Sequence, residues 1–413
     1  MPTLNPFRAV RYQPDRVGNV SRVIAPPYDV ISSAEQERLY AASPHNVVRV
    51  ILGLQAATDT EADNRYTRAR RDFDAWRQAG ILQQDATPAF YLIEQAFRQE
   101  GQPRTRLGFM ALLQLTDPIE RAVYRHEATL AAPKADRTKL LEAVPANLEP
   151  IFCIYPDAGR AIQARLEGWR AAAPLLEATI HEERVRMWAI EVPEELEAIR
   201  ARLADVPVLI ADGHHRFEVA YANRRRSPAL MAYFASMEDP ALVVRPIHRA
   251  VRLARPADAQ AIRQVCDTAP VGDVPSLVRW LGDGTREAAA CVRFGYYDGQ
   301  TLYQASVNPE RLARWLMRPT VPLPLAQLDV SVLHGLVLPQ LEATQVTYLA
   351  DIQEALTAVE QGEATAAWFL KPIPLAQVYA LASQGFVLPP KSTYFHPKVP
   401  SGLTFHVFDG PAR

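Results

Sequence analysis

The stretch VPVLIADGHHRFEVAYAN, residues 206–223, decides how the chain is read. Its first six residues are apolar or proline, as in a buried strand. Asp212, Gly213, His214, His215 and Arg216 follow without a break, and a helix-like pattern begins at once. Gly213 lets the backbone take a conformation closed to other residues and lets a ligand approach closely. The first turn of a helix carries N–H groups with no intrahelical acceptor and a partial positive charge, which suits phosphate. Arg216 can add a bidentate contact, and His214 or His215 a further donor. Asp212 can cap the helix or hold a metal or a hydroxyl. A plain capped helix is the alternative, but capping needs one polar residue and leaves HHR unexplained.

Outward from this turn the pattern mixes strands and helices, which indicates α+β or α/β. Residues 33–42 predict a short helix capped by Ser32 or Ser33, and residues 63–80 an amphipathic helix with Tyr66, Ala69, Phe73 and Trp76 on one face. HNVVRVILG predicts a strand, and AFYLIEQAFRQ with RTRLGFMALLQL a strand pair around EGQPR. IFCIY, RVRMWAIE and LMAYFASM predict further strands, and residues 158–176 and 193–204 helices. A helix is expected to start near Asp136, and another over residues 217–226. Beyond about residue 250 the pattern resets, so residues 1–250 and 251–413 are expected as two domains. In the second, helices are expected at 257–267, 274–282 and 308–317, then LDVSVLHGLVLPQL, IQEALTAVEQG and LAQVYALASQG. Its strands are expected at AACVRFGYYDG, QTLYQASV and ATAAWFLK. The terminal segment is expected to return to the site.

The composition excludes several classes. The net charge of −1 argues against bulk binding to nucleic acid. Hydrophobic content of 48% and charged content of 22% are those of a globular protein with a sizeable core. Cys153, Cys266 and Cys291 lack CxxC spacing, so neither a disulfide framework nor a zinc cluster is expected, and a reducing cytoplasm is. No run of about 18 apolar residues predicts a membrane span. Of the 45 basic residues only five are lysine: Lys134, Lys139, Lys371, Lys391 and Lys398. In so arginine-rich a chain a lysine marks a place for a compact charge, suited to phosphate or to proton transfer.

Two further polar clusters stand out. In HEATLAAPKADRTK, residues 126–139, His126 and Glu127 offer a base or a metal ligand, and Lys134, Asp136 and Arg137 a contact to phosphate or carboxylate. Two charged ends joined by small residues suggest a closing flap. In PPKSTYFHPKVPSG, residues 389–402, Lys391, Ser392 and Thr393 match the end of a Walker motif without its glycine-rich loop, so that assignment fails. The same segment offers Tyr394, His396 and Lys398. APPYDVIS adds Tyr28 and Asp29. His248 and His334 lie in apolar contexts and are expected in the core.

APPYDVIS, HEATLAAPKADR, NLEPIFCIY, ADGHHRFE, MEDPALVVRPIHR and PPKSTYFHPKVPSGL, in this order, resemble the prokaryotic family catalogued as DUF1015, to which no activity is assigned. The turn is also similar to the phosphate-binding turn of the ParB/sulfiredoxin-like superfamily. That superfamily includes partition proteins that bind CTP, sulfiredoxins that use ATP, and free-serine kinases that use ADP or ATP. The serine kinases carry a DGHHR-type turn that Asp212 to Arg216 match residue by residue. The resemblance implies an α+β, mixed-sheet compound fold with a ParB/sulfiredoxin-like nucleotide-binding core and a smaller C-terminal α/β portion. It implies phosphates held by Gly213, His214, His215 and Arg216.

The expectation is a nucleotide-dependent phosphotransferase acting on a small hydroxylated metabolite, with L-serine the first candidate. ATP or ADP would donate, with Mg²⁺ bridging phosphates. Glu127, a substitute for the kinases' glutamate, and His215 would act in catalysis. Asp212 to Arg216, Lys134, Asp136, Arg137, Lys391, Ser392 and Thr393 would bind nucleotide. Tyr28, Asp29, His126, Tyr394 and Lys398 would bind substrate. A ParB-like nucleotide-binding module without transfer chemistry is the alternative. Nucleic acid and membrane are not expected as partners; a second copy of the chain is allowed for.

Overall fold

The computed structural model describes residues 1–254, 262–283, 291–318 and 320–408. The quoted stretch folds as strand Val208–Asp212, Gly213, and helix His214–Ala222. The strand belongs to a nine-stranded sheet. In chain order its members are β1 (Leu4–Asn5), β2 (Phe90–Gln99), β3 (Gln102–Gln114), β4 (Val123–Tyr124), β5 (Ile151–Tyr155), β6 (Leu176–Ile180), β7 (Glu183–Ile190), β8 (Val208–Asp212) and β9 (Ala229–Ser236). They are arranged β4-β8-β5-β9-β3-β2-β7-β6, with β1 beside β3. The β8–β4 and β9–β5 pairs are parallel, whereas β8–β5, β9–β3 and β2–β3 are antiparallel. The sheet is therefore mixed and the architecture α+β.

The two faces of this sheet are unlike. On one face Leu92, Phe109, Ile151, Cys153, Val208, Ile210 and Phe234 form an apolar core with Ile162, Leu166, Ile199, Leu203 and Phe217 from helices Ala161–Trp169, Pro193–Leu203 and His214–Ala222. The other face meets the end of the chain. Thr404 Oγ1 contacts the sulfurs of Met110 (2.9 Å) and Met231 (3.3 Å). Phe405 exchanges backbone hydrogen bonds with Val10 at 2.9 and 2.8 Å, and Ser401 with Ala25 at 2.8 and 3.2 Å.

The chain divides into two compact units: Met1–Arg125 with Thr129–Val243 and Pro397–Arg413, and His126–Ala128 with Val244–His396. The second contains a six-stranded sheet: β10 (His248–Leu253), β11 (Cys266–Pro270), β12 (Arg293–Tyr297), β13 (Leu302–Val307), β14 (Ala343–Leu349) and β15 (Ala366–Phe369). Their order is β11-β13-β12-β15-β10-β14, every neighbouring pair antiparallel. Trp368, Phe294, Leu333 and Val337 centre its main core. No helix among the described residues is long and apolar enough to cross a membrane.

Several elements differ from those expected. HNVVRVILG is not a strand; Val48–Ile51 is a helical turn. Asn46 causes it: its Oδ1 accepts from Val48 N–H at 2.9 Å, and its Nδ2 donates to the carbonyls of Arg22 and Ile24. The β-branched run is buried all round, so tertiary packing overrides its strand preference. The helix expected near Asp136 begins five residues earlier, over Ala131–Ala143, because Pro133 lies in its first turn, where proline is tolerated. The helix after the turn begins at His214 rather than Phe217. The helix expected over 158–176 is shorter, Ala161–Trp169. Strand β14 was not anticipated, since most of its residues face solvent and give no alternation. Residues 257–261 of one expected helix and 289–290 of one expected strand lie outside the described residues.

The closing segment is part of the fold and not a tail. Phe405 is fully buried, edge-on to Phe73 (5.5 Å) and Tyr12 (6.0 Å). Phe405→Ala is expected to cost about 3–5 kcal/mol, the usual loss for a buried phenylalanine. Urea unfolding reads it as a lowered midpoint; an unchanged midpoint would mean that the segment packs on nothing essential.

Candidate phosphate-binding site

Strand β8 ends in a bulge. Leu209 pairs with Ile154 and Ile210 with Cys153, but the next partner, Phe152, faces Asp212 instead of Ala211. One extra residue reverses the alternation of side chains. Without it Asp212 would follow Val208 and Ile210 into the apolar core. With it Asp212 shares the opposite face with Phe152, the face on which the chain's end lies.

There Asp212 meets two cations. Its Oδ2 accepts from Arg216 Nη2 at 2.6 Å, and its Oδ1 from Lys398 Nζ. All three side chains are about nine-tenths buried, at 12%, 10% and 11% exposure. Burial alone would raise the Asp212 carboxyl, but Lys398 and Arg216 outweigh it and hold it well below the usual carboxylate range. Burial likewise works against the Arg216 charge, and Asp212 with Glu149 more than restores it. Asp212 and Arg216 therefore stay ionised at neutral pH.

Lys398 owes its position to a buried pair on strands β2 and β3. Gln95 and Arg106 are cross-strand partners. Gln95 Nε2 donates to the Lys398 carbonyl at 2.9 Å, and Arg106 Nη2 to the Pro397 carbonyl at 2.6 Å and to Gln95 Oε1 at 2.5 Å. Arg106 also lies over the rings of Phe152 and Tyr233, at 4.6 and 5.5 Å.

Gly213 has φ of +93°, the left-handed region. A Cβ there would meet Ile151 Cγ2 at 3.0 Å and Arg216 Nε and Nη2 at 3.1 Å. The Arg216 guanidinium thus lies against the bare glycine. Its Nη1 donates to the Pro150 carbonyl, whereas its Nε–H is buried and has no acceptor among the described residues. A buried donor without an acceptor is costly and uncommon. Beside it is the first turn of the nine-residue helix His214–Ala222. Gly213, the first turn of the helix and the Arg216 guanidinium are thus neighbours, and Lys398 joins them through Asp212.

Glu149, which the motif reading left without a role, ties the surroundings together. Its carboxylate is buried and accepts from Tyr28 N–H (3.1 Å), Ser401 Oγ (2.9 Å) and Arg137 Nη1 (3.4 Å). Arg137 is buried over the Tyr28 ring at 3.8 Å and donates to the Ile51 carbonyl at 2.9 Å and to Asp136. Asp136 in turn accepts from Tyr66 Oη at 2.7 Å and from Arg65. Arg137, Glu149 and Arg216 line a cavity of about 60 Å³. Asp29 is exposed and close enough to feel the charge of Arg216, yet makes no hydrogen bond or ion pair among the described residues. Burial, and after it the Asp29 charge, raises the Tyr28 phenol, so it stays protonated.

Residues 129–134 are fastened to the same helix. His215 Nε2 accepts from Leu130 N–H at 2.9 Å, which leaves the proton on Nδ1. Glu218, one turn on, accepts from Thr129 Oγ1 (2.7 Å) and Lys134 Nζ (3.0 Å). The flap expected from the sequence is thus largely helix, held by His215 and Glu218.

The remaining predicted residues belong to the second unit and form their own group. Glu127 Oε1 accepts from Lys391 N–H at 2.9 Å, and His126 Nε2 is 2.8 Å from Thr393 Oγ1. Ser392 Oγ donates to the Pro389 carbonyl at 2.6 Å. Tyr394 stacks on His396 at 6.3 Å. The buried Arg249 donates to the Lys391 carbonyl (2.8 Å) and to His334 Nε2 (3.0 Å). Among the described residues, no three His, Cys, Asp or Glu side chains converge as a metal site.

Sequence comparison assigns the chain. A family model matches residues 4–331. The chain belongs to the family described as "Protein of unknown function (DUF1015)". No curated protein matches it. Among solved structures, this DUF1015 chain is similar to a conserved hypothetical protein from Pyrococcus furiosus, at 13% identity and TM-score 0.37 over 73% of this chain and 95% of that one. It is similar to a free serine kinase in complex with AMP, at 13% identity and TM-score 0.34 over 72% and 92%. It is also similar to SbnI from Staphylococcus aureus, at 10% identity and TM-score 0.36 over 72% and 87%. At that distance no activity passes from them to this chain.

Gly213→Ala is expected to destabilise the protein by about 1–3 kcal/mol, the cost of a left-handed backbone on a residue with a side chain. Urea unfolding measures it, and a neutral substitution would contradict the close approach of Arg216. A second expectation concerns pH. Burial, then the Arg249 charge, pulls His248 and His334 down to about 4. The unfolded chain titrates them near about 6.5. Between these values the unfolded chain binds more protons, so stability is present above pH 6.5 and drains away as pH falls toward 4. The melting temperature should fall over that window, and less steeply in His334→Gln; equal slopes would contradict the burial of a neutral His334.

Proposed function

We propose that this protein is a nucleotide-dependent phosphotransferase acting on a small hydroxylated metabolite, with L-serine the first candidate. The observation that carries the reading is the buried Arg216 Nε–H, without an acceptor among the described residues, against Gly213 at a helix N-terminus. A terminal phosphate of ATP or ADP supplies oxygens for that N–H, for the amides of the first turn and for Lys398. The residue-by-residue match of Asp212 to Arg216 with the turn of free-serine kinases supports the same reading.

In the reaction the substrate hydroxyl oxygen attacks the terminal phosphorus, and the bond to the leaving nucleotide oxygen breaks. The hydroxyl proton goes to a carboxylate. Asp29 is the exposed carboxylate of the site; Glu127, the substitute for the kinases' glutamate, belongs to the second unit and is tested beside it. Arg216 and Lys398 take up the charge that develops on the phosphoryl oxygens, the main work in phosphoryl transfer. Lys134 offers further positive charge from the same unit. Tyr28, kept protonated by burial, donates to the substrate. Mg²⁺ commonly binds through one or two carboxylates and phosphate oxygens, but no preformed cluster exists among the described residues. Asp212 is already committed to Arg216 and Lys398.

A nucleotide-binding module without transfer chemistry is the second reading, favoured by that same commitment of Asp212 to both cations. Such a module would bind nucleotide saturably and turn it over slowly or not at all.

Purified protein incubated with ATP or ADP, Mg²⁺ and L-serine is expected to form O-phosphoserine. Arg216→Ala should lower the rate by about 10²–10³-fold. Asp29→Asn and Glu127→Gln separate the two proton acceptors, since only the true one abolishes transfer while leaving nucleotide affinity in place. Saturable binding with no product from any hydroxylated metabolite would select the second reading.

A further inference from the structure

The second unit holds a larger cavity, about 380 Å³, that plays no part in the reading above. This is within the usual range for small-molecule pockets. Its wall carries both signs of charge. Lys371, just beyond strand β15, lies 3.4 Å from Asp329, the first residue of the helical turn Asp329–Val332. Leu312, Leu316, Leu328 and Ile373 supply an apolar wall, and Gln327 and Gln377 add amides. Pro372 and Pro374 bracket Ile373 and stiffen that side.

Three features argue against an ordinary surface ion pair. The Asp329 side chain is 14% exposed, and Lys371 is its one polar partner among the described residues. A carboxylate accepts about four hydrogen bonds, so most of its capacity is open to a ligand or to water at this half-buried position. Burial raises its pKa, and Lys371 only partly offsets this, so the carboxylate is under-compensated. Lastly, Lys371 is a lysine in a chain whose default cation is arginine.

We propose that this cavity binds a small zwitterion, an α-amino acid with an apolar side chain. The ligand ammonium completes the shell of Asp329. The ligand carboxylate takes Lys371 and a glutamine amide. Opposite charges side by side on the protein match opposite charges side by side on the ligand, so the Asp329–Lys371 contact need not break. The apolar side chain lies on Leu312, Leu316 and Ile373. A polyphosphate is excluded, because one lysine beside one carboxylate offers it no net attraction.

The cavity also contains its own reporter. Cys291 lines it and is partly exposed, whereas Cys153 and Cys266 are buried. Only Cys291 should react readily with iodoacetamide, and a bound ligand should shield it.

The test uses the full-length protein, with calorimetry and iodoacetamide labelling in the presence of L-leucine, L-isoleucine, L-methionine or L-phenylalanine. Saturable binding of at least one is expected, with alkylation of Cys291 slowed several-fold. Asp329→Asn and Lys371→Met should each weaken binding at least tenfold, and Lys371→Arg should restore part of it. 4-Methylpentanoate, which lacks the ammonium, and isoamylamine, which lacks the carboxylate, should bind at least tenfold more weakly than L-leucine. The proposal is overturned if none of the four amino acids binds, if both charge variants bind undiminished, or if either analogue binds as well as L-leucine. Thermal melts of the variants establish that they are folded. Phosphotransfer is measured separately, so its absence leaves this test unaffected.

Discussion

The first unit is organised around one buried carboxylate. Asp212 sits between Arg216 and Lys398, and each partner arrives by a different route. Arg216 is four residues on, one turn into the helix that Gly213 starts. Lys398 comes from the far end of the chain, its backbone gripped by Gln95 and Arg106. Removing one charge from such a group leaves another buried and uncompensated, which commonly costs about 3–5 kcal/mol. The group therefore couples the integrity of the turn to the docking of residues 397–408. It also sets the character of the turn: its two cations are held by one internal anion.

Most of this rests on a single extra residue. The bulge at the end of β8 moves Asp212 from the core face to the face covered by the chain's end. A regular strand would have buried the carboxylate among Val208, Ile210 and Cys153, where no partner could reach it. Bulges beside functional sites commonly re-aim a side chain in this way. Here the bulge, the left-handed glycine and the helix N-terminus follow one another within a few residues, so one short segment builds the whole turn.

Much of the fold was legible where periodicity was long and clean. The β2–β3 hairpin, the strand IFCIY, the helix over residues 65–78 and the strand–turn–helix at 208–222 were all visible in the sequence. HNVVRVILG misled because the hydrogen bonds of Asn46, invisible to propensity, fold a β-branched run into a helical turn. In the site, Asp212, Gly213 and Arg216 stood out because their crowding exceeds what a cap needs. Glu149 and Ser401 lay inside motifs already noted, but nothing local showed that they would meet. Arg106 offered a clue of another kind: an arginine inside a strand that is otherwise apolar from residue 107 onward. Its purpose depends on residues about 290 positions away, a distance no local pattern spans.

The central claim is that the Gly213 turn, completed by Lys398, receives phosphate. A crystal structure of the full-length protein grown with saturating ADP tests it most directly. Phosphate oxygens are predicted within hydrogen-bond distance of the amides of His214 to Arg216, of Arg216 Nε and of Lys398 Nζ. ADP bound with its phosphates elsewhere, or a turn in which Arg216 Nε finds no ligand oxygen at saturation, would contradict the account.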